Sequence, residues 1–224
     1  MERIKSGIPG LDAVTGGGIL HGSVNLVTGG TGTGKTIFGC QFLWQGLKMG
    51  EPCVYITLEE RPEDIMDDVT NFGWDFKSYE KKGLFKIIYH DPAQVNNLGA
   101  VIMTELETLK AKRLVIDSIS VMELTIDDRP QIRKRILNLI NAIKRKDHCT
   151  TLLLSEIEED TKALSRFGVE EFVVDSVILL SYLGIGEEYN RSLMVRKMRR
   201  TNHGKDVYPF EIGKNGIGVK KAEI

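Results

Sequence analysis

Short apolar runs rich in β-branched residues alternate along the chain with longer stretches in which apolar residues recur every three or four positions. The short runs predict buried strands, at residues 23–28, 53–58, 84–89, 113–116 and 150–154. The longer stretches predict amphipathic helices, at residues 35–48, 62–72, 98–111 and 130–146. Strands that alternate with helices are typical of a mostly parallel sheet whose two faces are covered by helices.

The pattern changes after about residue 172, where strands follow one another with little helix between them. Strands are predicted at residues 173–180, 192–200 and 207–212, with a weaker candidate at residues 218–221. This strand-only tail predicts an antiparallel extension at one edge of the sheet. Because no linker, low-complexity tract or internal repeat divides the chain, residues 1–224 are expected to form a single α/β domain.

Composition narrows the classes of function. The chain has 224 residues, enough to bury a core without disulfide or metal staples. A formal net charge of −1 excludes a protein held to nucleic acid or to membrane by bulk charge. Three cysteines without a CxxC pair argue against a disulfide framework and exclude a zinc ribbon. No apolar run approaches the ~18 residues of a membrane span, and the N-terminus lacks the apolar stretch of a signal peptide, so a soluble cytoplasmic protein is expected.

The strongest motif is the glycine-rich loop GGTGTGKT at residues 29–36, which fits the pattern G-x-x-x-x-G-K-[ST] between a predicted strand and a predicted helix. Glycines let successive backbone N–H groups turn inward around a phosphate, and the helix N-terminus adds partial positive charge. Lys35 is expected to reach the β- and γ-phosphates of a nucleotide, and the Thr36 hydroxyl to ligate Mg²⁺. The alternative is a glycine-rich turn that binds nothing. The residues of this loop predicted to contact nucleotide are Gly30, Thr31, Gly32, Thr33, Gly34, Lys35 and Thr36.

Carboxylates end two further predicted strands. Asp117 ends the apolar run at residues 114–116, where it is expected to hold Mg²⁺ together with Thr36, directly or through water. The alternative for Asp117 is a turn or helix-capping role. Glu59 and Glu60 end the strand at residues 53–58, which follows the phosphate-loop helix, and in a parallel sheet that strand end opens on the same edge as the phosphate loop. Either glutamate is able to orient or deprotonate water, and the alternative is an acidic start to the helix at Pro62.

Further short stretches match the pattern of one known family, in order and nearly from end to end. They are SGIPGLD (residues 6–12), GGGI (16–19), the phosphate loop, YITLEE (55–60), FGWD (72–75), IDS (116–118), GVEEF (168–172), KMR (197–199) and YPF (208–210). Through these stretches the chain resembles the KaiC-like ATPases of the RecA superfamily, as one KaiC-type domain.

The resemblance implies a RecA-like P-loop NTPase fold and a homohexameric ring with ATP or ADP and Mg²⁺ bound between subunits. It implies a slow regulatory ATPase in which Glu59 and Glu60 are catalytic carboxylates, with Glu60 favoured as the base. It also implies that Lys197 and Arg199 reach the ATP of the neighbouring subunit and assist catalysis there. The other residues implied to contact nucleotide are Asn71, near the adenine of the same subunit, and Met198, Thr201 and His203, from the neighbouring subunit.

The charge of residues 191–205 supports a role for that segment independently, because it carries six Lys or Arg residues and no acid in a chain of net charge −1. Cations supplied by a neighbour stabilise charge that develops on a transferred phosphoryl group. The alternative is an edge strand kept soluble by its charge. Two short segments depart from the family pattern. Gly213 and Lys214 stand where related domains often carry Thr-Asp near the nucleotide base. Residues 170–172 (EEF) stand where the family's clock protein carries phosphorylatable Ser and Thr in its autokinase half, so autophosphorylation there is not expected.

Two other functions share parts of this description. A recombinase or helicase motor needs a basic, aromatic channel loop for single-stranded DNA, whereas residues 156–160 form an acidic run that is predicted to be a solvated loop. A nucleotide-gated scaffold needs no catalytic base, and the pair Glu59 and Glu60 argues against it. We therefore expect an ATPase that assembles with itself, a hexamer being favoured, and with unidentified protein partners. Membrane binding is not expected, and nucleic acid is disfavoured without being excluded.

Overall fold

Nine strands of the described chain form one central sheet, and two short strands pair near the N-terminus. The structure is a computed structural model that describes residues 1–124, 128–145, 148–158, 161, 163–182 and 191–220. In chain order the strands are β1 (Arg3–Ile4), β2 (Ile19–Leu20), β3 (Val24–Gly29), β4 (Cys53–Thr57), β5 (Phe85–Tyr89), β6 (Arg113–Asp117), β7 (Thr150–Glu156), β8 (Ser176–Tyr182), β9 (Arg191–Met198), β10 (Tyr208–Gly213) and β11 (Gly216–Val219). The helices are α1 (Leu11–Val14), α2 (Lys35–Lys48), α3 (Pro62–Thr70), α4 (Phe76–Lys81), α5 (Leu98–Leu109), α6 (Arg129–Lys144) and α7 (Glu170–Val173), with 3-10 turns at Pro92–Asn97 and Ile119–Leu124.

The strand order across the sheet is β11-β10-β9-β8-β3-β7-β6-β4-β5. The six strands from β8 to β5 run parallel to their neighbours, whereas β9 pairs antiparallel with β8 and is followed by two more antiparallel strands. The predicted α/β fold, a mostly parallel sheet with a C-terminal antiparallel extension, is confirmed. One detail differs: β8 belongs to the strand-only tail but pairs in parallel with β3, so the extension begins with β9.

Successive side chains of the central strands pack into two cores, one on each face of the sheet. On β4, Cys53 and Tyr55 join the core that α2 and α3 cover, while Val54 and Ile56 join the core that α5 and α6 cover. Burial on both faces explains why the runs that predicted these strands are apolar throughout. Among the helices that the structure describes, none combines the length and the apolar character that crossing a bilayer requires.

The chain forms a helical turn, α7, where the pattern predicted that a strand would begin at Val173. The reason is the fully buried Glu170, whose carboxylate accepts hydrogen bonds from the backbone N–H groups of Phe167 at 3.3 Å and Val169 at 3.1 Å. These bonds curl the backbone, and β8 starts only at Ser176. The helix α4 was not predicted because its six residues are too few to show a helical period.

Arg113 is a fully buried cation at the start of β6 that ties three parts of the fold together. Its Nε lies 2.6 Å from Glu51 Oε2, and its Nη1 donates to the carbonyl oxygens of Lys5 at 2.9 Å and Phe42 at 2.8 Å. The guanidinium carbon also lies 4.6 Å from the centroid of the Phe42 ring. The N-terminal segment and α2 are thereby held against the amino ends of the parallel strands.

We expect Arg113→Ala to lower the free energy of unfolding by about 3–5 kcal/mol, because it leaves Glu51 without its counter-ion and removes buried hydrogen bonds. Lys86→Ala is the matched control, since it breaks an ion pair with Glu105 in which the lysine is half exposed. The control is expected to cost no more than about 1 kcal/mol. Urea titration followed by circular dichroism measures both changes, and equal losses would contradict the role assigned to Arg113.

Candidate functional site

The carboxyl ends of β3, β4, β6 and β7 meet at one edge of the sheet, as expected for parallel neighbours. A cavity of about 360 Å³ opens at this edge. Its lining runs from Lys35 and Thr36 of the phosphate loop to Glu60, Asp117 and Glu156 at the ends of the other three strands. Residues predicted from separate motifs are thus brought together around one space.

The phosphate loop connects β3 to α2 in the conformation that its glycines permit. Gly32 and Gly34 have φ angles of +69° and +99°, which residues with a side chain rarely adopt. Gly34 is also the N-cap of α2 and has no side chain to satisfy the first helical N–H groups, so these remain available for an anion. Lys35 Nζ donates to the carbonyl oxygens of Gly29 at 3.1 Å and Gly30 at 2.9 Å, and burial lowers its pKa.

Asp117 lies at the floor of the cavity and accepts two hydrogen bonds on the same oxygen. Thr36 Oγ1 donates to Asp117 Oδ2 at 2.8 Å, and the Tyr55 hydroxyl donates to it at 2.6 Å. Burial raises the pKa of Asp117, and these two hydrogen bonds and the charge of Lys35 oppose that rise. A carboxylate and a hydroxyl so close together are the hard oxygen donors that Mg²⁺ prefers. The two predicted metal ligands therefore fit a magnesium ion.

Glu59 and Glu60 follow β4 at the side of the cavity. Ser118 Oγ donates to Glu59 Oε1 at 2.6 Å, while the Thr57 hydroxyl donates to the backbone carbonyl oxygen of Glu60 at 2.7 Å. Burial is the largest cause of a raised pKa in both glutamates, and the negative charge of Asp117 raises the pKa of Glu60 further. Ser118 therefore fixes the carboxylate of Glu59, while the hydrogen bond from Thr57 anchors the backbone at Glu60.

Negative charge dominates the lining of the cavity, which carries two basic residues, Lys35 and Arg191, against five acids. The acids are Glu59, Glu60, Asp68, Asp117 and Glu156. Glu156 was predicted to lie in a solvated loop, but β7 extends as far as this residue and carries it to the cavity. Of the remaining acidic run, Glu158 pairs with Arg166 at 3.1 Å, and residues 159 and 160 lie outside the described part of the chain.

One wall of the cavity is apolar. It is formed by Ile37, Ile65, Val69, Phe72 and Ile212. Phe72 is supported from behind by Trp74, with the two ring centroids 4.8 Å apart. Asn71, which was predicted to lie near an adenine, is exposed at the C-terminal end of α3, directly before Phe72. A flat aromatic group suits such a wall.

Arg191 and Tyr182 hold the tip of the phosphate loop from the side of β8 and β9. The Tyr182 hydroxyl donates to the carbonyl oxygen of Gly32 at 2.8 Å, and Arg191 Nη2 donates to the same oxygen at 3.3 Å. The guanidinium lies over the Tyr182 ring, 5.0 Å from its centroid. Although Arg191 belongs to the basic segment assigned to the neighbouring subunit, it lies on the loop of its own subunit.

Lys197 and Arg199 lie at the other end of the sheet. Met198 pairs with Ser176 of β8, which in turn pairs with Asn25, four residues before the end of β3. At about 3.3 Å per residue, this register puts roughly 13 Å of strand between the two cations and the phosphate loop. In the described structure neither cation lines the cavity of its own subunit.

Backbone carbonyl groups of α7 and the turn after it hold both cations. Lys197 Nζ donates to the carbonyl oxygens of Glu171 and Val174, each at 2.8 Å, and Arg199 Nη2 donates to that of Phe172 at 3.4 Å. Burial lowers the pKa of Lys197, and the positive charge of Arg199 lowers it further. The two cations are therefore close together, and their terminal nitrogens are held by backbone carbonyl groups.

The other residues predicted to contact nucleotide from the neighbouring subunit surround this end of β9. The Thr201 hydroxyl accepts from Arg3 Nη2 at 2.8 Å, and His203 Nδ1 lies 2.8 Å from the carbonyl oxygen of Gly204. Met198 is buried in the core, which leaves only its backbone for the predicted contact.

Three side chains that shape these contacts were not predicted: Tyr55, Ser118 and Arg191 in its observed place. A tyrosine inside an otherwise apolar strand signals a buried hydrogen-bond partner, and that signal was available for Tyr55. Ser118 directly follows a predicted metal ligand. Only the strand register shows that Arg191 lies on its own loop.

Comparison with known proteins finds similarity along the whole chain. A model of the ATPase KaiC matches residues 4–224. A UPF0273 protein of Pyrococcus horikoshii is 37% identical over 235 residues, which cover 97% of this chain and 94% of that protein. The circadian clock oscillator protein KaiC of Parathermosynechococcus lividus is 34% identical over 98% of this chain, but the match covers 42% of its own length. The crystal structure of a KaiC-like protein from Pyrococcus horikoshii has a TM-score of 0.89 and 42% identity, with 98% of this chain and 99% of that chain covered. The predicted RecA-like fold and the resemblance are confirmed.

Proposed function

The chain belongs to the KaiC family of ATPases, and on that premise we propose that it binds ATP with Mg²⁺ at the phosphate-loop cavity and hydrolyses it slowly, as a homohexameric ring of single-domain subunits. The observation that carries this proposal is the convergence of Lys35, Thr36, Asp117 and Glu60 on one cavity beside the loop. Four residue types from three strand ends supply cation, metal ligands and base, which is the set that phosphoryl transfer to water needs.

Charge supports Mg²⁺ as part of the ligand. The cavity lining has three more acids than bases, so free ATP, itself an anion, is repelled. A divalent cation held by Thr36 and Asp117 reverses the local sign and polarises the phosphate oxygens. We therefore propose ATP and Mg²⁺ as joint ligands, with ADP bound after hydrolysis.

Glu60 is proposed as the base that activates water, with Glu59 assisting. The hydrogen bond from Ser118 engages Glu59, whereas burial and neighbouring acids raise the pKa of Glu60 and make its carboxylate a stronger proton acceptor. Phe72 and the other residues of the apolar wall are proposed to face the adenine ring of ATP. The backbone N–H groups of residues 30–36 are proposed to hold its phosphates.

The position of the second set of cations supports the proposed ring. Lys197 and Arg199 sit at the end of the sheet opposite the phosphate loop, so a role for them in hydrolysis requires the cavity of another subunit. Such a head-to-tail contact generates a closed ring or an open filament. We propose the hexameric ring, in which Lys197, Arg199, Thr201, His203 and the backbone of Met198 complete the neighbour's nucleotide site.

The test is steady-state ATP hydrolysis by the purified protein with Mg²⁺, with and without single-stranded DNA, alongside its mass in solution. We expect a slow rate that DNA leaves unchanged and a hexamer that forms with nucleotide. Strong stimulation by DNA would favour the recombinase or helicase function instead. Nucleotide-dependent assembly without any turnover would favour the scaffold. A location in the cytoplasm, which cell fractionation tests, and binding to protein partners, which pull-down from cell extract tests, are further proposals.

The pH dependence of kcat/KM is expected to reveal the surroundings of Glu60. A base works when deprotonated, and a raised pKa means that protonation sets in at a higher pH than for an ordinary glutamate. Activity should therefore fall on acidification at a higher pH than an ordinary glutamate base would give. Asp68→Asn removes one of the charges that raise this pKa and should move the acid limb to lower pH. An acid limb that stays in place in Asp68→Asn would contradict the assignment of that limb to Glu60.

A further inference from the structure

Asp175 is an almost fully buried carboxylate at the end of the sheet where Lys197 and Arg199 lie. Its Oδ2 accepts from the backbone N–H of Val24 at 3.0 Å and lies 2.8 Å from Lys144 Nζ. Its Oδ1 accepts from the same Lys144 Nζ at 2.9 Å and lies 3.6 Å from Arg199 Nη1. Its carbonyl oxygen accepts from the Arg199 backbone N–H at 2.9 Å. Asp175 is therefore joined to Arg199 twice, once through the backbone and once through the side chain.

Positive charge is in excess around Asp175. Lys144, Lys197 and Arg199 all interact with it electrostatically, and Lys144 already provides it with a close ion pair. The separation of 3.6 Å from Arg199 is longer than the ~2.7–2.9 Å of a charge-assisted hydrogen bond. The Arg199 side chain is 48% exposed, so its guanidinium keeps donors free toward solvent. Asp175 thus lies beside this fork without a close hydrogen bond to it, and Nη2 donates to the carbonyl oxygen of Phe172 at 3.4 Å.

We propose that Asp175 is a positioning residue that holds Arg199 ready for the triphosphate bound in the neighbouring subunit. The inference rests on the proposed function, because it needs Arg199 to act across a subunit interface. An arginine already aimed at its target gives up little side-chain freedom when it acts, and a misplacement of about 1 Å can cost on the order of 100-fold in rate. The carboxylate acts on the neighbour's reaction only through Arg199.

The first measurement is the steady-state kinetics of Asp175→Asn. We expect kcat to fall by about 10- to 100-fold while KM for ATP changes little, because the cavity of the same subunit lies at the opposite end of the sheet. In an Arg199→Ala background the same substitution should cause no further loss. Wild-type kcat in Asp175→Asn, or a full additional loss in the Arg199→Ala background, would overturn the proposal.

Lys144→Met is the matched control, because it removes the other ion-pair partner of Asp175 and leaves the contact with Arg199 in place. It is expected to keep kcat close to that of the wild type. If Asp175 served only to pair with Lys144, Lys144→Met would reproduce the loss in Asp175→Asn and overturn the proposal. Should Asp175→Asn fail to fold, the double variant Asp175→Asn/Lys144→Met removes the buried pair together, and the same fall in kcat is expected from it.

Subunit mixing separates this inference from the proposed function. Asp175→Asn subunits are co-expressed with Glu60→Gln subunits under two tags, and assemblies carrying both tags are isolated. About one quarter of the interfaces in a random equimolar ring then join an intact Glu60 to an Arg199 held by an intact Asp175, and hydrolysis should return. The parallel mixture of Arg199→Ala with Glu60→Gln tests the action across subunits itself. If hydrolysis returned in the Arg199→Ala mixture but not in the Asp175→Asn mixture, the role of Asp175 would be overturned. If hydrolysis returned in neither mixture, the shared site would be overturned, and this inference with it.

Discussion

Replacing Lys35 with alanine is expected to weaken ATP binding by about 2–5 kcal/mol, which is a loss of roughly 30-fold to several thousand-fold in affinity. The side chain is buried beside the loop, and in the free protein its ammonium group donates to the carbonyl oxygens of Gly29 and Gly30. Burial lowers its pKa, which means that the charged form gains when an anion arrives. Nucleotide binding lets the ammonium exchange weak carbonyl partners for phosphate oxygens.

The surrounding acids enlarge this effect. Lys35 is one of two cations in a lining with five acids, so its loss leaves a cavity that repels a polyphosphate more strongly. The acids whose charges act on Lys35 are Glu156, Asp117 and Glu59. In Lys35→Ala each of them would face the phosphates without the lysine. The loss of ATP affinity in Lys35→Ala should therefore be present at a fixed Mg²⁺ concentration and become larger when Mg²⁺ is withdrawn.

Calorimetric titration with ATP and Mg²⁺ measures the change, and thermal unfolding without nucleotide checks that the fold is kept. Lys48→Ala is the matched control, since it removes an exposed lysine from the last turn of the same helix, α2. That variant should bind ATP as the wild type does. If Lys35→Ala bound ATP with near wild-type affinity, the cavity beside the phosphate loop would not be the nucleotide site.

The convergence at this cavity could be predicted because each motif stood at the end of an apolar run. In a parallel sheet the carboxyl ends of all strands lie at one edge, so Asp117 and Glu60 were expected at the same edge as the phosphate loop. The prediction needed strand direction only, which the alternation of strands and helices supplied. Side-chain partners carry no such signal, and Ser118 was found on Glu59 only in the structure.

Predictions failed where a buried polar group or the pairing of strands overrides the local pattern. Glu170 curls the backbone just before Val173, where the apolar pattern predicted that a strand would begin, because a buried carboxylate must find hydrogen-bond donors. Glu156 looked like the start of a solvated acidic run, yet the ladder with β3 continues to it. The basic segment at residues 191–205 divides for a similar reason. Register places Arg191 and Arg199 at opposite ends of one strand pair, and composition alone cannot separate them.

Glu60→Gln is expected to lower kcat by about 10²- to 10⁴-fold while ATP binding is retained. The amide keeps the size of the side chain but cannot accept a proton from water. Burial and the charge of Asp117 raise the pKa of Glu60, which makes the carboxylate a better proton acceptor than an exposed one. Removing a negative charge from the acid-rich cavity should, if anything, tighten the binding of the anionic nucleotide.

Two controls separate the base from its neighbours. Glu63→Gln changes an exposed glutamate in the first turn of α3 and should leave kcat unchanged. Glu59→Ala removes the carboxylate that Ser118 holds, and its smaller loss of kcat should be matched by Ser118→Ala, because both break the same 2.6 Å hydrogen bond. Single-turnover hydrolysis of radiolabelled ATP measures the chemical step directly. If Glu60→Gln turned over at the wild-type rate while Glu59→Ala did not, the roles of the two glutamates would be reversed, and Ser118 would then be the group that orients the base.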